Sequence, residues 1–346
     1  MGTLLYLATN KGVATVKGSD TEKWTLESQG LGSWAIPGVA VDQSNPGRAY
    51  AATRGDGVLR TDDSGKSWYK PNRGKPGPGK ARCVTIDPHD PNTLYAGGEP
   101  ITLWVSHDAG ENWASIDTIW DVPGLTDTPY PVPAVEPHIR DVLVDANDRN
   151  TIYLNMQVGH ILKTTDGCKT WTVLNKNVDA DAHTLTARSD DPKRLYVSTG
   201  GHDSRLGIVT GRALYKSDDG GESWSPMALE FEQEYSVAMV VNPKDPDILY
   251  SAIAHNTPSN WVDRESGADS VVVRSQDGGA TWHELDAGAE VACNFAEAMA
   301  VDPEEPENVF LATRKGQLYG SSDGGDTWNS LGITVSGASE MTAVHI

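Results

Sequence analysis

The sequence predicts an all-β protein, a seven-bladed β-propeller of four-stranded antiparallel blades, closed by the C-terminal strand joining the N-terminal blade. Three observations carry that expectation. An eight-residue stretch, SDDGGESW (217–224), recurs as SQDGGATW (275–282) and SSDGGDTW (321–328), with the variants TDDSGKSW (61–68), SHDAGENW (106–113) and TTDGCKTW (164–171). Each copy sits in a larger unit, and four short strands repeated every ~45 residues is the pattern of blades set radially about an axis. The two chain ends are complementary. The chain opens on LLYLATNKGVATVKGSDTEKW (4–24), which reads as strands two to four with a degenerate copy of the stretch ending at Trp24, and closes on MTAVHI (341–346), which reads as a lone first strand. Joining them closes the ring and leaves no open sheet edge.

The clearest unit is MAVDPEEPENVFLATRKGQLYGSSDGGDTW (299–328). An apolar strand ends in Asp-Pro and a turn, two further strands follow, then the eight-residue stretch, then a fourth strand starting at the Trp. VTIDPHDPNTLYAGG (84–98), VLVDANDRNTIYLNM (142–156) and MVVNPKDPDILYSAI (239–253) repeat its first half. The expected blades are therefore 341–346 plus 3–28, then 36–70, 82–116, 139–174, 183–229, 235–286 and 297–332, all in a single domain spanning 1–346.

Composition bounds the function. The 346 residues include 35 Gly and 20 Pro, in keeping with many turns, and 38% are hydrophobic, enough for a core. A net charge of −20 argues against nucleic-acid backbones and anionic membranes as partners. Three scattered cysteines (Cys83, Cys168, Cys293) form no disulfide framework. The N-terminus MGTLLYLATNKG has no basic start, apolar stretch and cleavage site in series, and no apolar run reaches spanning length, so the expectation is a cytoplasmic protein.

The recurring stretch reads as a fastener rather than an active site. Catalysis needs one unique constellation, whereas packing needs one device per blade. Its glycines allow turn angles that other residues resist, its Asp can accept from N–H groups of its own turn, and its Trp can fill the gap between blades. The Ser/Thr-x-Asp-x-Gly-x-Ser/Thr-Trp pattern resembles the BNR or Asp-box repeat of sialidase-like, xyloglucanase-like and photosystem-assembly-factor propellers, over the whole chain. The resemblance implies the fold and offers two functions, glycoside hydrolysis or non-catalytic assembly. Two departures stand out. The Arg-Ile-Pro motif of sialidases is here AIPG (35–38), with Ala35 in the arginine's place, and xyloglucanase-like enzymes face two such propellers across a cleft.

In a four-stranded meander the Asp boxes, as turns between strands three and four, mark one end of every blade. The blade-to-blade connections and the loops between strands two and three mark the other, here called the top. The insertions 114–140, 200–212 and 254–270 fall there, and long loops on a rigid scaffold are usual places for function. So do His138, His183, His202 and His255, with His160, near the carboxylates Glu136, Asp141, Asp181, Asp203, Glu297 and Glu340. Trp34, Trp120 and Trp261 belong to top connections. Arg82 and Arg140 are expected nearest the channel mouth, with Arg54 and Arg314 on the same face.

Three functions compete on these residues. In the first, His138, His183, His202 and His255 hold a divalent ion, Zn or Mn. Glu297 then acts as ligand or base, and Arg82 and Arg140 grip the carboxylate of a small anionic substrate for hydrolysis or elimination. In the second, a metal-free glycoside hydrolase uses Glu297 with Asp141 or Asp203, and Trp120 and Trp261 stack on a carbohydrate. In the third, a non-catalytic propeller offers its top to a protein partner. The concentration of histidines favours the first.

Overall fold

The computed structural model describes residues 2–19, 23–127, 136–157 and 159–346. Part of the degenerate box (20–22) and of the long third connection (128–135) lie outside the described residues. Seven antiparallel sheets follow one another along the chain. Six are four-stranded. The second has three strands, continued by a single bridge between Arg60 and Tyr69. The first sheet contains the C-terminal strand Ala338–His345 paired along the N-terminal strand Thr3–Thr9, so the ring closes by hydrogen bonding between the two chain ends. Among the described residues no helix is long and apolar enough to cross a membrane.

The core is a set of seven apolar clusters, one in each gap between neighbouring blades, and each contains a tryptophan from the repeat. Trp24, Trp68, Trp113, Trp171, Trp224, Trp282 and Trp328 each pack in a different cluster. The box that precedes the Trp is a self-contained turn. In the fifth blade Asp219 accepts from the Ser217 hydroxyl (2.7 Å), the Ser223 N–H (2.9 Å) and the Ser223 hydroxyl (2.6 Å). These bonds favour its charged form and hold its carboxyl down at about 2. Gly220 and Gly221 both take left-handed angles, φ 76° and 91°. A repeated turn thus delivers a repeated Trp to each seam, where burying it stabilises by a few kcal/mol.

The innermost strand of each blade has one edge free toward the axis, and its backbone groups need partners. Side chains of the preceding blade supply several. The Thr85 hydroxyl donates to Val142 O (2.8 Å), His183 Nδ1 donates to Ser236 O (2.6 Å), and the Thr342 hydroxyl donates to Val39 O (3.3 Å). Asp141 works in the other sense, accepting from the Leu185 N–H (3.2 Å). Polar residues near the axis therefore have a structural task before any chemical one.

Ring closure has its own fastener. Asp302, fully buried at the foot of the seventh blade's inner strand, accepts from the Thr3 hydroxyl (2.6 Å) and lies 3.1 Å from His345 Nδ1. Its carboxylate also accepts from the N–H groups of Glu304 (2.9 Å) and Glu305 (3.1 Å). Both ends of the chain are thus tied to one side chain of the last blade.

Candidate functional site

A channel of about 660 Å³ runs along the axis. Its top rim is built by a repeated irregularity. Among the described residues, six of the seven inner strands carry a β-bulge at the same level, near their top end. The extra residues are Ser339 in the first blade, Arg82 in the third, Arg140 in the fourth, His183 in the fifth, Val237 with Ala238 in the sixth and Glu297 in the seventh. All of them line the channel. A bulge leaves its extra residue outside the ladder and re-aims the side chain. Here it turns one residue toward the mouth in five blades and two in the sixth. A second set comes from the positions where strand two ends, which contribute Asn10, Arg54, Glu99, Gln157, His255 and Arg314.

Most charges of the rim are mutually satisfied. Arg54 and Arg82 share Glu99 (2.9 and 3.3 Å), and Arg314 holds Glu297 at 2.8 Å. Arg82 also donates to His138 Nε2 (2.8 Å), while His138 Nδ1 lies 2.9 Å from Glu136 O. A guanidinium only donates and a carbonyl only accepts, so His138 is the neutral tautomer with its proton on Nδ1. Burial, and then the Arg82 charge, push its pKa down to about 4, in agreement with that assignment. Burial next to Arg54 and Arg140 likewise lowers Arg82 to about 10.

Arg140 differs. Its Nη1 donates to Gln157 Oε1 at 2.6 Å. Among the described residues no carboxylate lies within ion-pairing distance of it. It is a half-buried guanidinium with a neutral partner on the wall of a channel, a group whose chemistry suits pairing with an anion.

Below the rim, Asp141 and Glu340 both face the lumen. Burial pushes Asp141 up to about 6. Burial, reinforced by the neighbouring Asp141, pushes Glu340 up to about 8. A carboxyl whose folded pKa exceeds its unfolded value binds more protons folded than unfolded, so it weakens the fold as pH rises between the two. For Glu340 that window runs from 4.5 to about 8. The isosteric Glu340→Gln variant is therefore expected to melt with the parent near pH 4.5 and above it at pH 8. Channel water screens the difference to roughly 1–2 kcal/mol. Thermal melts at the two pH values check this, and a gap that does not widen with pH contradicts it.

The four histidines expected to share an ion do not converge. His138 and His183 stand on the rim, but both ring nitrogens of each are engaged, His183 Nε2 lying 3.2 Å from Gln157 Nε2 and 3.3 Å from Asp181 Oδ1. His202 Nδ1 contacts Asp203 (2.9 Å) on the short helix His202–Arg205. His255 lies between Glu234 and Asp269 (3.7 and 3.8 Å). Among the described residues no group of three or more His, Cys, Asp or Glu is placed to hold a metal ion. The physical reason is local. These imidazoles satisfy nearby carbonyls, amides and carboxylates, which leaves no shared open point.

The expected carboxylate pairs are also committed elsewhere. Glu297 is on Arg314, Asp141 on the Leu185 N–H, and Asp203 on His202 and the Ala180 N–H (3.1 Å). Trp261 is buried, its indole N–H on His255 O and its ring edge-on to Tyr235. It anchors its own loop and offers no open face. Trp120 is 51% exposed, two residues after Thr118, whose hydroxyl donates to Cys168 O in the fourth blade's Asp box. Glu99 and Gln157 escaped the sequence reading. Their signal is positional, since both stand where a second strand ends.

Comparison with known proteins bears on this site. The family described as Photosynthesis system II assembly factor YCF48 matches residues 200–343. A xyloglucanase from Paenibacillus sp is 25% identical over 326 residues, covering 81% of this chain and 30% of its own length. The chain thus spans under a third of that enzyme. The Photosystem II assembly lipoprotein Ycf48 of a Synechococcus species is 21% identical over 341 residues, 88% of this chain and 89% of that protein. A solved structure of YCF48 bound to a D1 peptide superposes with a TM-score of 0.55 at 18% identity, over 85% of this chain and 81% of that one. With six Asp boxes, seven blades and a closing C-terminal strand, the chain is a seven-bladed β-propeller of the BNR, or Asp-box, repeat type.

Proposed function

We propose that the protein is a recognition module whose channel mouth captures a carboxylate carried by an extended segment of a protein partner. Arg140 carries this reading. It is the guanidinium of the rim that has a neutral partner, while Arg54, Arg82 and Arg314 already hold carboxylates. Two further observations support it. Of the seven exposed large hydrophobic residues among those described, three (Leu206, Ile208 and Val262) belong to the top insertions, at the end where the mouth opens. The whole-length relative Ycf48 belongs to assembly proteins, one of which has been solved with a peptide bound.

A second reading, hydrolysis of a polysaccharide, is favoured by the similarity to the Paenibacillus xyloglucanase over most of this chain. It requires two carboxyl groups facing each other across a groove, about 5–10 Å apart. One experiment separates the two. N-acetyl-dialanine as free acid and as amide is titrated by calorimetry, and xyloglucan is incubated with the protein in parallel. The recognition reading expects the acid to bind at least about tenfold more tightly than the amide, with no release of reducing ends. Equal affinities together with depolymerisation would establish the second.

A further inference from the structure

Arg140 stays free because of what holds it. Its one hydrogen-bond partner among the described residues, Gln157, ends the second strand of the same blade and is itself held from the next blade. Gln157 Nε2 lies 3.2 Å from His183 Nε2 and 3.5 Å from Asp181 Oδ1. His183 Nδ1 faces Ser236 O at 2.6 Å, and a carbonyl can only accept, so Nδ1 carries a proton. The Arg140 guanidinium can only donate, so the Gln157 atom that faces it is Oε1, and this turns the Nε2 amide group toward Asp181 Oδ1 and His183. The chain of contacts runs from the sixth blade's backbone through His183 and Gln157 to the guanidinium.

We propose that Gln157 is the positioning residue of the anion site: it aims the Arg140 guanidinium across the mouth without itself adding a charge that pairs with it. This rests on the recognition reading above. A carboxylate at position 157 would give the same shape but neutralise the guanidinium, as Glu99 and Glu297 do for their arginines. An amide supplies direction without charge. Gln157 acts through Arg140 and touches the ligand only through it.

The test compares three variants with the parent, using N-acetyl-dialanine free acid as the probe and NMR titration as the readout. Gln157→Ala removes the tether and is expected to weaken binding about 5-fold. Gln157→Glu is expected to weaken it about 30-fold or more. Ser339→Glu places the same charge on the rim three blades away, controls for the general field, and is expected to cost about threefold or less. A merely structural role would weaken binding only in step with each variant's loss in Tm. The inference predicts that Gln157→Glu binds worse than Gln157→Ala at temperatures where both are folded. It is overturned if Gln157→Glu binds as well as Gln157→Ala, or no worse than Ser339→Glu. Failure of the parent to bind the probe at millimolar concentration overturns the recognition reading and this inference together. Binding by the parent with unmoved variants overturns this inference alone.

Discussion

Replacing Arg140 by alanine is expected to reduce the affinity for a free peptide carboxylate by roughly 30- to 150-fold, about 2–3 kcal/mol. The size follows from the site's asymmetry. Three of the four rim arginines already spend their charge on Glu99 and Glu297, so removing Arg140 takes away the free cation of the mouth. The strand ladder should survive, because Arg140 is a bulge residue outside it. The charge of Arg140 also favours the ionised forms of Asp141 and Glu340. Its removal should therefore raise both carboxyls further, not release them. Calorimetric titration beside a thermal melt checks both halves. Loss of binding accompanied by unfolding would contradict the assignment, as would unchanged affinity.

The second large effect concerns the ring. Asp302→Ala is expected to destabilise the protein by about 3–5 kcal/mol, since it removes one carboxylate from a buried cluster and strands its partners. The Thr3 hydroxyl, His345 Nδ1 and two turn N–H groups all converge on it. The lost contacts join the first and last blades, so the damage should begin at that seam. Chemical denaturation measures the free energy, and limited proteolysis should show earlier cleavage near the two termini than in the parent. Asp302→Asn keeps an acceptor for Thr3 and should fall between. A loss below about 1 kcal/mol for the alanine variant would show that strand pairing alone closes the ring.

The fold was legible because it is written repeatedly. A Trp at each box end, a recurring turn after the first strand and complementary strand sets at the two chain ends fix the period, the strand order and the closure. No single copy has to be read correctly. Even Cys168, in a box position that other copies give to glycine, keeps the left-handed angle (φ 68°) and the turn.

The site was legible only in part. Arg82 and Arg140 can be placed near the axis by counting from the blade starts, and both line the channel. The bulge that turns them inward depends on pairing register between strands, which periodicity does not reveal. The histidines show the opposite problem. Their gathering at the top is real, but a propeller's inner strands leave backbone groups without a sheet neighbour, and imidazoles are good partners for them. His183 on Ser236 O is a case in point, whereas His138 faces Glu136 O in the connection just ahead of its own strand. Residue type and location alone do not separate a ligand from a cap. Gln157 was invisible for a plainer reason: an amide at a strand end carries no chemical signal until its partners are known.

The most direct measurement is a crystal structure of the protein with N-acetyl-dialanine free acid bound. The account predicts the terminal carboxylate in the channel mouth, with its oxygens about 2.8 Å from the Arg140 guanidinium and Gln157 still on the opposite side. A peptide seated elsewhere, or one in the mouth with its carboxylate turned to solvent and Arg140 uncontacted, would contradict it.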